Sequence, residues 1–304
     1  MKPPNLNLPD SIKSLYSTDE ITQLIEFRKS LHREPELSLN EYATQKKIMT
    51  ALSTLNLSKV EPIAETGVLA EHPGKNPSLP PIIIRGDIDA LPIQENTGLD
   101  YSSIHPGVMH ACGHDVHTSW ALASAILINK NPAEGPIRFI FQPAEEIAKG
   151  ALKIIEESGL KNAKAIIGAH VDRNYPTPTI IAHPGAIASN SDTFTYTIIG
   201  KSCHGARPQE GNDPFIGAAT IILGIQTIIS RQIAPQTKAV ISIGKVDGGH
   251  SHNIIPEKAT ITGTIRSFSE ETRQLLHTKL NQLCLMGESF DLKISCTIKT
   301  GAPS

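Results

Sequence analysis

The stretch HACGHDVH, residues 110–117, places three histidines, one cysteine and one aspartate close together. The whole chain of 304 residues holds only 12 His and 4 Cys, so this density of metal-capable side chains is unusual. One interpretation is chance, with Cys112 serving as a small buried hydrophobic residue. The other is part of a metal site, with Cys112 and His114 as ligands. Two ligands alone do not hold a metal, so the metal-site interpretation requires further ligands elsewhere in the chain.

Further candidate ligands occur at Glu145, Glu146 and His170. A set of thiolate, imidazole and carboxylate groups suits Zn²⁺, or Mn²⁺, Co²⁺ and Ni²⁺, better than Mg²⁺ or Ca²⁺. Adjacent carboxylates at a turn can divide roles, because one can bind the metal while the other accepts a proton from an activated water. This combination predicts metal-assisted hydrolysis. The Glu145–Glu146 spacing is equally compatible with a solvated helix N-terminus, where carboxylates are also favoured. For His110 and His117, structural roles fit better than ligand roles.

The candidate ligands lie in a part of the chain where apolar runs alternate with helical segments, and these elements must hold the ligands in place. Apolar runs predict strands within 82–87, 137–146 and 164–170, and helical patterns cover about 115–130 and 147–158. This order predicts an α/β domain with a mostly parallel sheet, in which ligands bind beyond the carboxyl ends of the strands. Asp87 and Asp89 follow the first run, the two glutamates follow the second, and His170 follows the third. We therefore expect these groups to converge at one edge of the sheet.

Two further helices precede this alternation. Ser17 and Glu20 form a capping-box pattern, which predicts that a helix begins directly after Ser17. A second helix is predicted from about Asn40.

The pattern changes near residue 188. Strands are predicted at 191–200, 238–246, 258–267 and 290–299, with helices at 213–231 and 269–285. The order βαββαβ is that of a ferredoxin-like sandwich. We therefore predict two domains, a metal-binding domain at 1–187 and a ferredoxin-like domain at 188–300 that is inserted into the first.

The composition of the chain argues against a nucleic-acid-binding, a membrane-spanning and a secreted protein. The formal net charge is −2, with no basic stripe, which argues against a nucleic-acid partner. The most apolar stretch, 214–230, is short and interrupted by Gly, Gln and Thr, so it predicts a buried helix rather than a membrane span. The start of the chain has no apolar leader segment, and the four cysteines lie far apart, so we expect a reducing, cytoplasmic location.

Several segments together resemble one family. RGDIDALPI (85–93), MHACGHDVHT (109–118), FQPAEE (141–146) and GAH (168–170) resemble the aminoacylase/carboxypeptidase-type metallopeptidases. They are most similar to the branch of hippurate hydrolases, N-acyl-amino-acid amidohydrolases and auxin-conjugate hydrolases. FRKSLHREPELS (27–38) resembles the N-terminal helix signature of that branch, and 248–268 resembles its lid segment.

The resemblance implies a di-metal amidohydrolase that cleaves N-acyl amino acids such as hippurate, with two divalent ions (Zn or Mn, or else Co or Ni) per subunit. The implied roles divide into four metal ligands, a general base, an aspartate that orients a ligand, and three substrate contacts in the lid. The implied metal ligands are Cys112, His114, Glu146 and His170. The implied general base is Glu145, and the aspartate that orients a ligand is Asp89. The implied substrate contacts are His204, Asn253 and Arg266. The resemblance also implies a homodimer formed through the lid, in which His204 reaches the neighbouring subunit's site.

One departure leaves two functions open. In the family, the lid is followed by a return to the catalytic domain that carries one more histidine ligand, whereas only GAPS (301–304) follows the last predicted strand here. The first hypothesis is an active amidohydrolase, based on the intact constellation of ligands. The alternative is a truncated homologue with weak or no activity, which folds and dimerises through its lid.

Overall fold

The computed structural model describes residues 14–182 and 184–303. The first 13 residues, where we predict no leader segment, lie outside the described residues. The chain forms two compact units, of which the first ends at Thr179 and the second begins at Ile180. The sequence-based division lay between residues 187 and 188.

From residue 14 onward, the first unit contains four helices and five strands. They are α1 (Thr18–Arg33), α2 (Tyr42–Leu52), β1 (Lys59–Ile63), β2 (Gly67–His72), β3 (Ile82–Asp87), α3 (His114–Lys130), β4 (Ile137–Gln142), α4 (Gly150–Glu156) and β5 (Ala165–Gly168). The predicted capping box is present at α1, since the Ser17 side chain accepts from the Glu20 N–H and the Glu20 side chain accepts from the Ser17 N–H.

The strands form one sheet in the order β1-β2-β4-β3-β5. Strands β3, β4 and β5 are parallel, and they are the three strands predicted from the apolar runs. The β1–β2 hairpin adds two antiparallel strands on the β4 side, which the sequence analysis did not predict. The predicted α/β class is confirmed, and the parallel strands are those that lead into the candidate ligands.

Helices cover both faces of this sheet because successive strand residues point to opposite sides. Phe139 and Phe141 of β4 join one buried cluster with residues of α2 and α3, whereas Ile140 between them joins a second cluster with Ile154 of α4. This layering fixes α3 against β3 and so brings the start of α3 close to the carboxyl ends of the strands.

The second unit covers the segment that the resemblance implies to be a lid, and we use that name for it. Its elements are β6 (Asp192–Ile199), β7 (Cys203–His204), α5 (Pro214–Thr227), β8 (Ala239–Gly248), β9 (Ile254–Ile255), β10 (Lys258–Ser267), α6 (Glu270–Leu283) and β11 (Lys293–Thr300). A π-helical segment, Ile228–Gln232, extends α5, and 3₁₀ segments occur at Pro208–Glu210 and Cys284–Phe290.

The four long lid strands form an antiparallel sheet in the order β11-β6-β10-β8. With the chain order βαββαβ, this is the ferredoxin-like topology predicted from the sequence. Alternate residues of β6, from Phe194 to Ile198, pack with Ile221 of α5 and Leu276 of α6 in a separate core. By length and composition alone Pro214–Gln232 could cross a membrane. In the structure one face of this helix is buried in the lid core, as predicted.

Candidate functional site

The candidate ligands lie beyond the ends of three neighbouring strands. Strands β3, β4 and β5 end at Asp87, Gln142 and Gly168. Asp89, the Glu145–Glu146 pair and His170 follow these ends, and α3 begins at His114. The carboxyl ends of parallel strands therefore bring together groups that are up to about 80 residues apart in sequence.

His114 lies at the centre of this cluster and is completely buried. Its Nδ1 lies 2.9 Å from the Asp89 carbonyl oxygen and 3.3 Å from Asp89 Oδ1. A carbonyl oxygen can only accept, so Nδ1 carries a proton and donates it, and Nε2 is the ring nitrogen left for a metal. Asp89 thus orients the His114 ring.

His114 Nε2 is a buried atom without a hydrogen-bond partner among the described residues. It faces three carboxylates: Asp87 Oδ2 at 3.7 Å, Glu146 Oε1 at 3.7 Å and Glu145 Oε2 at 3.9 Å. Glu146 Oε1 is also a buried atom without a hydrogen-bond partner in the described part of the chain. Buried polar atoms are rarely left unsatisfied, so two such atoms at this separation fit a site built for a cation.

Cys112 and His170 complete the cluster, with Cys112 Sγ 3.4 Å from His170 Nε2. His170 Nδ1 donates to the carbonyl oxygen of Val171 at 2.7 Å, which turns Nε2 toward the thiol. The neighbouring rings of His114 and His170 lower the pKa of the Cys112 thiol, and the same contact with Cys112 raises the pKa of His170 to about 9. A thiol with a lowered pKa is closer to the thiolate form that binds metals.

Glu145 and Glu146 lie in a turn that begins at Ala144, whose φ of 50° is left-handed. The turn lets both side chains approach His114, although their surroundings differ. The Glu146 side chain is 19% exposed and its N–H donates to Asp89 Oδ2 at 3.1 Å, whereas the Glu145 side chain is 41% exposed. Burial raises the pKa of Glu146. These carboxylates point into the cluster and are not the solvated helix end that the spacing also allowed, since α4 begins only at Gly150.

Asp87 and His117 form a pair that the sequence analysis did not identify. His117 Nδ1 donates to Asp87 Oδ1 at 2.6 Å, and the Val171 N–H donates to His117 Nε2 at 2.9 Å. Both ring nitrogens are therefore used within the protein, which fits the structural role expected for His117. Burial opposes ionisation of Asp87, but its contacts with His117 and Arg85 outweigh burial and lower its pKa to about 2.

His110 is also buried, and neither ring nitrogen has a hydrogen-bond partner among residues 14–182 and 184–303. Burial lowers its pKa to about 4, so the ring is neutral at pH 7. It lies outside the groups that could share a metal.

The donor set fits a divalent metal. Three overlapping groups have ligand atoms within 4.8 Å of one another, and His114 belongs to all three: Cys112, His114 and His170; Asp87, His114 and His117; and His114, Glu145 and Glu146. Burial opposes protonation of His114, yet Asp89, Cys112 and Asp87 outweigh burial and raise its pKa to about 11. The groups that stabilise a positive charge on the His114 ring would also stabilise a metal cation bound beside it.

The three predicted substrate contacts lie in the lid. The pairing of β7 with β9 brings His204 opposite Ile254, and the Gly205 N–H donates to the Asn253 carbonyl oxygen at 2.8 Å, so His204 and Asn253 are close neighbours. Arg266 lies near the other end of β10, eight residues beyond Lys258, or about 26 Å along the strand. The structure thus brings His204 and Asn253 together and separates Arg266 from them.

Comparisons with known proteins agree with this geometry. Residues 83–292 match peptidase family M20/M25/M40. The chain is 40% identical over 285 residues to N-acetyl-L-cysteine deacetylase of Bacillus subtilis (strain 168), covering 92% of this chain and 68% of that protein. It is 44% identical over 256 residues to N-acetylcysteine deacetylase of the same strain, covering 83% of this chain and 67% of that protein.

Solved structures show the same likeness. The Bacillus subtilis YXEP protein, described as a dinuclear metal-binding peptidase of the M20 family, superposes with a TM-score of 0.83 at 37% identity, covering 95% of this chain and 76% of that one. The family resemblance of the sequence motifs is confirmed by these matches. The chain belongs to peptidase family M20/M25/M40 and is a metal-binding hydrolase that acts on amide bonds.

Proposed function

We propose that this chain hydrolyses the amide bond of N-acyl amino acids, with two divalent ions held by Cys112, His114, Glu146 and His170. The observation that carries this proposal is the pair of orphaned buried atoms, His114 Nε2 and Glu146 Oε1, which lie 3.7 Å apart beside Cys112 and His170. Zn²⁺ and Mn²⁺ suit this mixture of soft and hard donors, with Co²⁺ and Ni²⁺ as alternatives. Bound divalent ions would polarise the scissile carbonyl and lower the pKa of water.

Glu145 is the general base of the proposed reaction. Its carboxylate is more exposed than that of Glu146, so it can meet a water and a substrate. It takes a proton from the water that attacks the acyl carbon, and it returns that proton to the leaving nitrogen as the C–N bond breaks. Asp89 keeps the His114 ring in one orientation throughout.

In the lid, we propose that Asn253 and Arg266 contact the carboxylate end of the substrate and that His204 reaches the site of the neighbouring subunit. Because Arg266 lies far from His204 and Asn253 within one chain, Arg266 and this pair would come from the two subunits of a dimer. Exposed polar side chains at His204 and Asn253 support these roles. We further propose that the chain forms a homodimer through the lid. β8 is an edge strand of the lid sheet with half-exposed Val240 and Val246, and Leu223 of α5 is 69% exposed, so both a strand edge and an apolar helix face are available.

Free thiols at all four cysteines support a cytoplasmic location. The balanced charge supports a small-molecule substrate without a nucleic-acid or membrane partner.

The acyl group and the amino acid are tested by a substrate panel. Hippurate is the substrate expected from the sequence motifs, and N-acetylcysteine is the substrate named for two relatives. We expect hydrolysis of at least one N-acyl amino acid, loss of activity after chelation, and recovery on adding Mn²⁺ or Zn²⁺. Cys112→Ala should lower the metal bound per chain while circular dichroism stays unchanged. Two tightly bound ions without hydrolysis of any panel member would contradict the proposal.

A further inference from the structure

The segment Glu36–Glu41 lies between α1 and α2 and contacts residues of the candidate site; we call it the strap. Leu37 forms an isolated parallel bridge with Ala90, and the Ala90 N–H donates to the Glu36 carbonyl oxygen at 2.8 Å. The strap therefore runs beside the residues that follow β3. Its sequence belongs partly to the N-terminal signature, for which the proposed reaction gives no role.

Glu41, at the end of the strap, is a carboxylate with no exposed surface. Its Oε1 accepts from the Ala144 N–H at 2.8 Å and its Oε2 accepts from the Thr66 hydroxyl at 2.6 Å. Within the described part of the chain it makes no ion pair with Lys, Arg or His. Burying a carboxylate without a cation is costly, and burial raises the pKa of Glu41. A residue kept in this unfavourable place is expected to serve a specific contact.

The contact from Glu41 holds Ala144, the residue at which the turn that carries Glu145 and Glu146 begins. Ala144 has a left-handed backbone without being glycine, a conformation that persists only where the surroundings enforce it. Its carbonyl oxygen accepts from the N–H groups of Lys149 and Gly150, both at 3.2 Å, and its own N–H is held by Glu41. Glu145 and Glu146 follow directly, so the direction of their side chains depends on Ala144.

The strap touches the same turn a second time. The Ser38 hydroxyl donates to Asp89 Oδ2 at 2.7 Å, and this oxygen also accepts from the Glu146 N–H at 3.1 Å. The strap therefore supports the turn on both sides of Glu145. Glu41 holds the Ala144 N–H before it, and Ser38 bonds to Asp89, which holds the Glu146 N–H after it.

We propose that Glu41 is a positioning residue, which holds Ala144 and so aims Glu145 and Glu146 at the metal-binding cluster. This inference rests on the proposed roles of the two glutamates. It assigns a function to a buried carboxylate 103 residues away in sequence from the backbone group that it binds.

The test compares Glu41→Ala with Glu41→Gln. Alanine leaves the Ala144 N–H without its acceptor, whereas the glutamine amide oxygen can still accept it and the Thr66 hydroxyl can rotate to accept from the amide nitrogen. Removing a residue that supports metal ligands typically costs about 10–100-fold in metal affinity or activity. We therefore expect Glu41→Ala to lower kcat and to weaken Mn²⁺ binding by about that factor, with KM nearly unchanged, and Glu41→Gln to recover most of both.

Glu36→Ala is the matched control. The Glu36 carboxylate accepts from the N–H groups of Ala43 and Thr44 at the start of α2, so its loss weakens the same segment without touching the turn. We expect this variant to lower the melting temperature while kcat and the Mn²⁺ dissociation constant stay close to those of the parent.

The inference would be overturned if Glu41→Ala remained folded with the kcat and Mn²⁺ affinity of the parent, or if Glu41→Gln and Glu36→Ala lost both as severely as Glu41→Ala. Mn²⁺ affinity is measured by calorimetric titration and needs no substrate. A failure of the proposed reaction therefore shows as an inactive parent and remains distinguishable from a failure of this inference.

Discussion

At the scale of single residues, Glu145 and Glu146 are neighbours with different tasks. Glu146 is held through its N–H by Asp89 and has a buried, unpartnered oxygen facing His114, as a ligand should. Glu145 is more exposed. We expect Glu145→Gln to keep the bound metal and to lower kcat about 10²–10⁴-fold, the usual contribution of a general base. Glu146→Gln should lower the metal bound per chain.

Metal analysis of both variants, alongside kcat for an N-acyl amino acid, checks this assignment. Loss of metal in Glu145→Gln with retention in Glu146→Gln would reverse the two roles. Full activity in both variants would remove the pair from the reaction.

Residue types and spacing were sufficient to propose the candidate ligands. Cys112 and His114 stand in a dense cluster of metal-capable residues, whereas Glu146 and His170 follow apolar runs whose parallel strand ends meet. The contacts that hold them were not predictable in this way. His117 bonds to Asp87 and Glu41 bonds to Ala144 across 30 and 103 residues, and neither partner stands in a motif with the other. Such pairs depend on how α2 and α3 pack against the sheet, which periodicity does not specify.

At the scale of elements, the start of α3 depends on Gly113. This residue has φ +83°, and a Cβ there would lie 2.4 Å from Val171 Cγ2. Gly113 precedes His114 and Val171 follows His170, so a displacement at this contact moves two candidate ligands. We expect Gly113→Ala to destabilise the fold, with about 1 kcal/mol from the left-handed backbone and about 1–3 kcal/mol from overpacking.

Gly107→Ala is the matched control, since Gly107 has φ +75° and a Cβ there would have no heavy atom within 4 Å. Thermal unfolding and metal content of the two variants provide the comparison. Only Gly113→Ala should lose metal, and equal behaviour of the two variants would show that the contact with Val171 is unimportant.

The β1–β2 hairpin shows which elements the sequence could not predict. β1 contains Lys59, Glu61 and Pro62 and has no apolar run. Proline is tolerated there because β1 is an edge strand, where a missing N–H costs no sheet hydrogen bond. By contrast, all the strands and helices of the lid sheet were predicted, because each has a long alternating or helical pattern.

A polar cluster at the base of the lid joins β6, α6 and the end of β11. Asp192, with a fully buried side chain, accepts from Arg273 Nε at 2.8 Å, from His277 Nε2 at 2.7 Å and from the Gly301 N–H at 2.9 Å. Burial opposes its ionisation, but the hydrogen bonds from Arg273, Gly301 and His277 outweigh burial and lower its pKa to about 2.

A folded-state pKa below the unfolded value of about 3.9 means that Asp192 stabilises the lid above that pH. This stabilisation, about 2 kcal/mol, is lost as the pH falls from about 4 through about 2. We expect Asp192→Asn to be less stable than the parent at pH 7 and to lose less stability on acidification. Urea unfolding at several pH values measures this, with exposed Glu271→Gln as the control that should follow the parent. Identical pH slopes for Asp192→Asn and the parent would contradict the expectation.

At the scale of the whole molecule, the chain has separate hydrophobic cores. The lid core is built entirely from residues between Phe194 and Ile298, whereas the clusters of the first unit use residues between Leu24 and Ala163. The two ends of the lid also meet, since the Ser191 N–H donates to the Ala302 carbonyl oxygen at 3.0 Å. Both features are expected of an independently folding domain.

We therefore predict that a fragment of residues 188–303 folds without the first unit. It retains the complete lid core, the four-stranded sheet and the Asp192 cluster, and so it should melt in a single cooperative transition with a dispersed amide NMR spectrum. A matched fragment that ends at residue 300 keeps all of β11 but lacks Gly301 and Ala302, which bond to Asp192 and Ser191. It should melt at a lower temperature, because each lost hydrogen bond contributes about 1 kcal/mol and the buried carboxylate loses one of its donors. A collapsed amide spectrum for 188–303 would show that the lid core needs the first unit, and equal melting temperatures for the two fragments would show that the closing bonds contribute nothing.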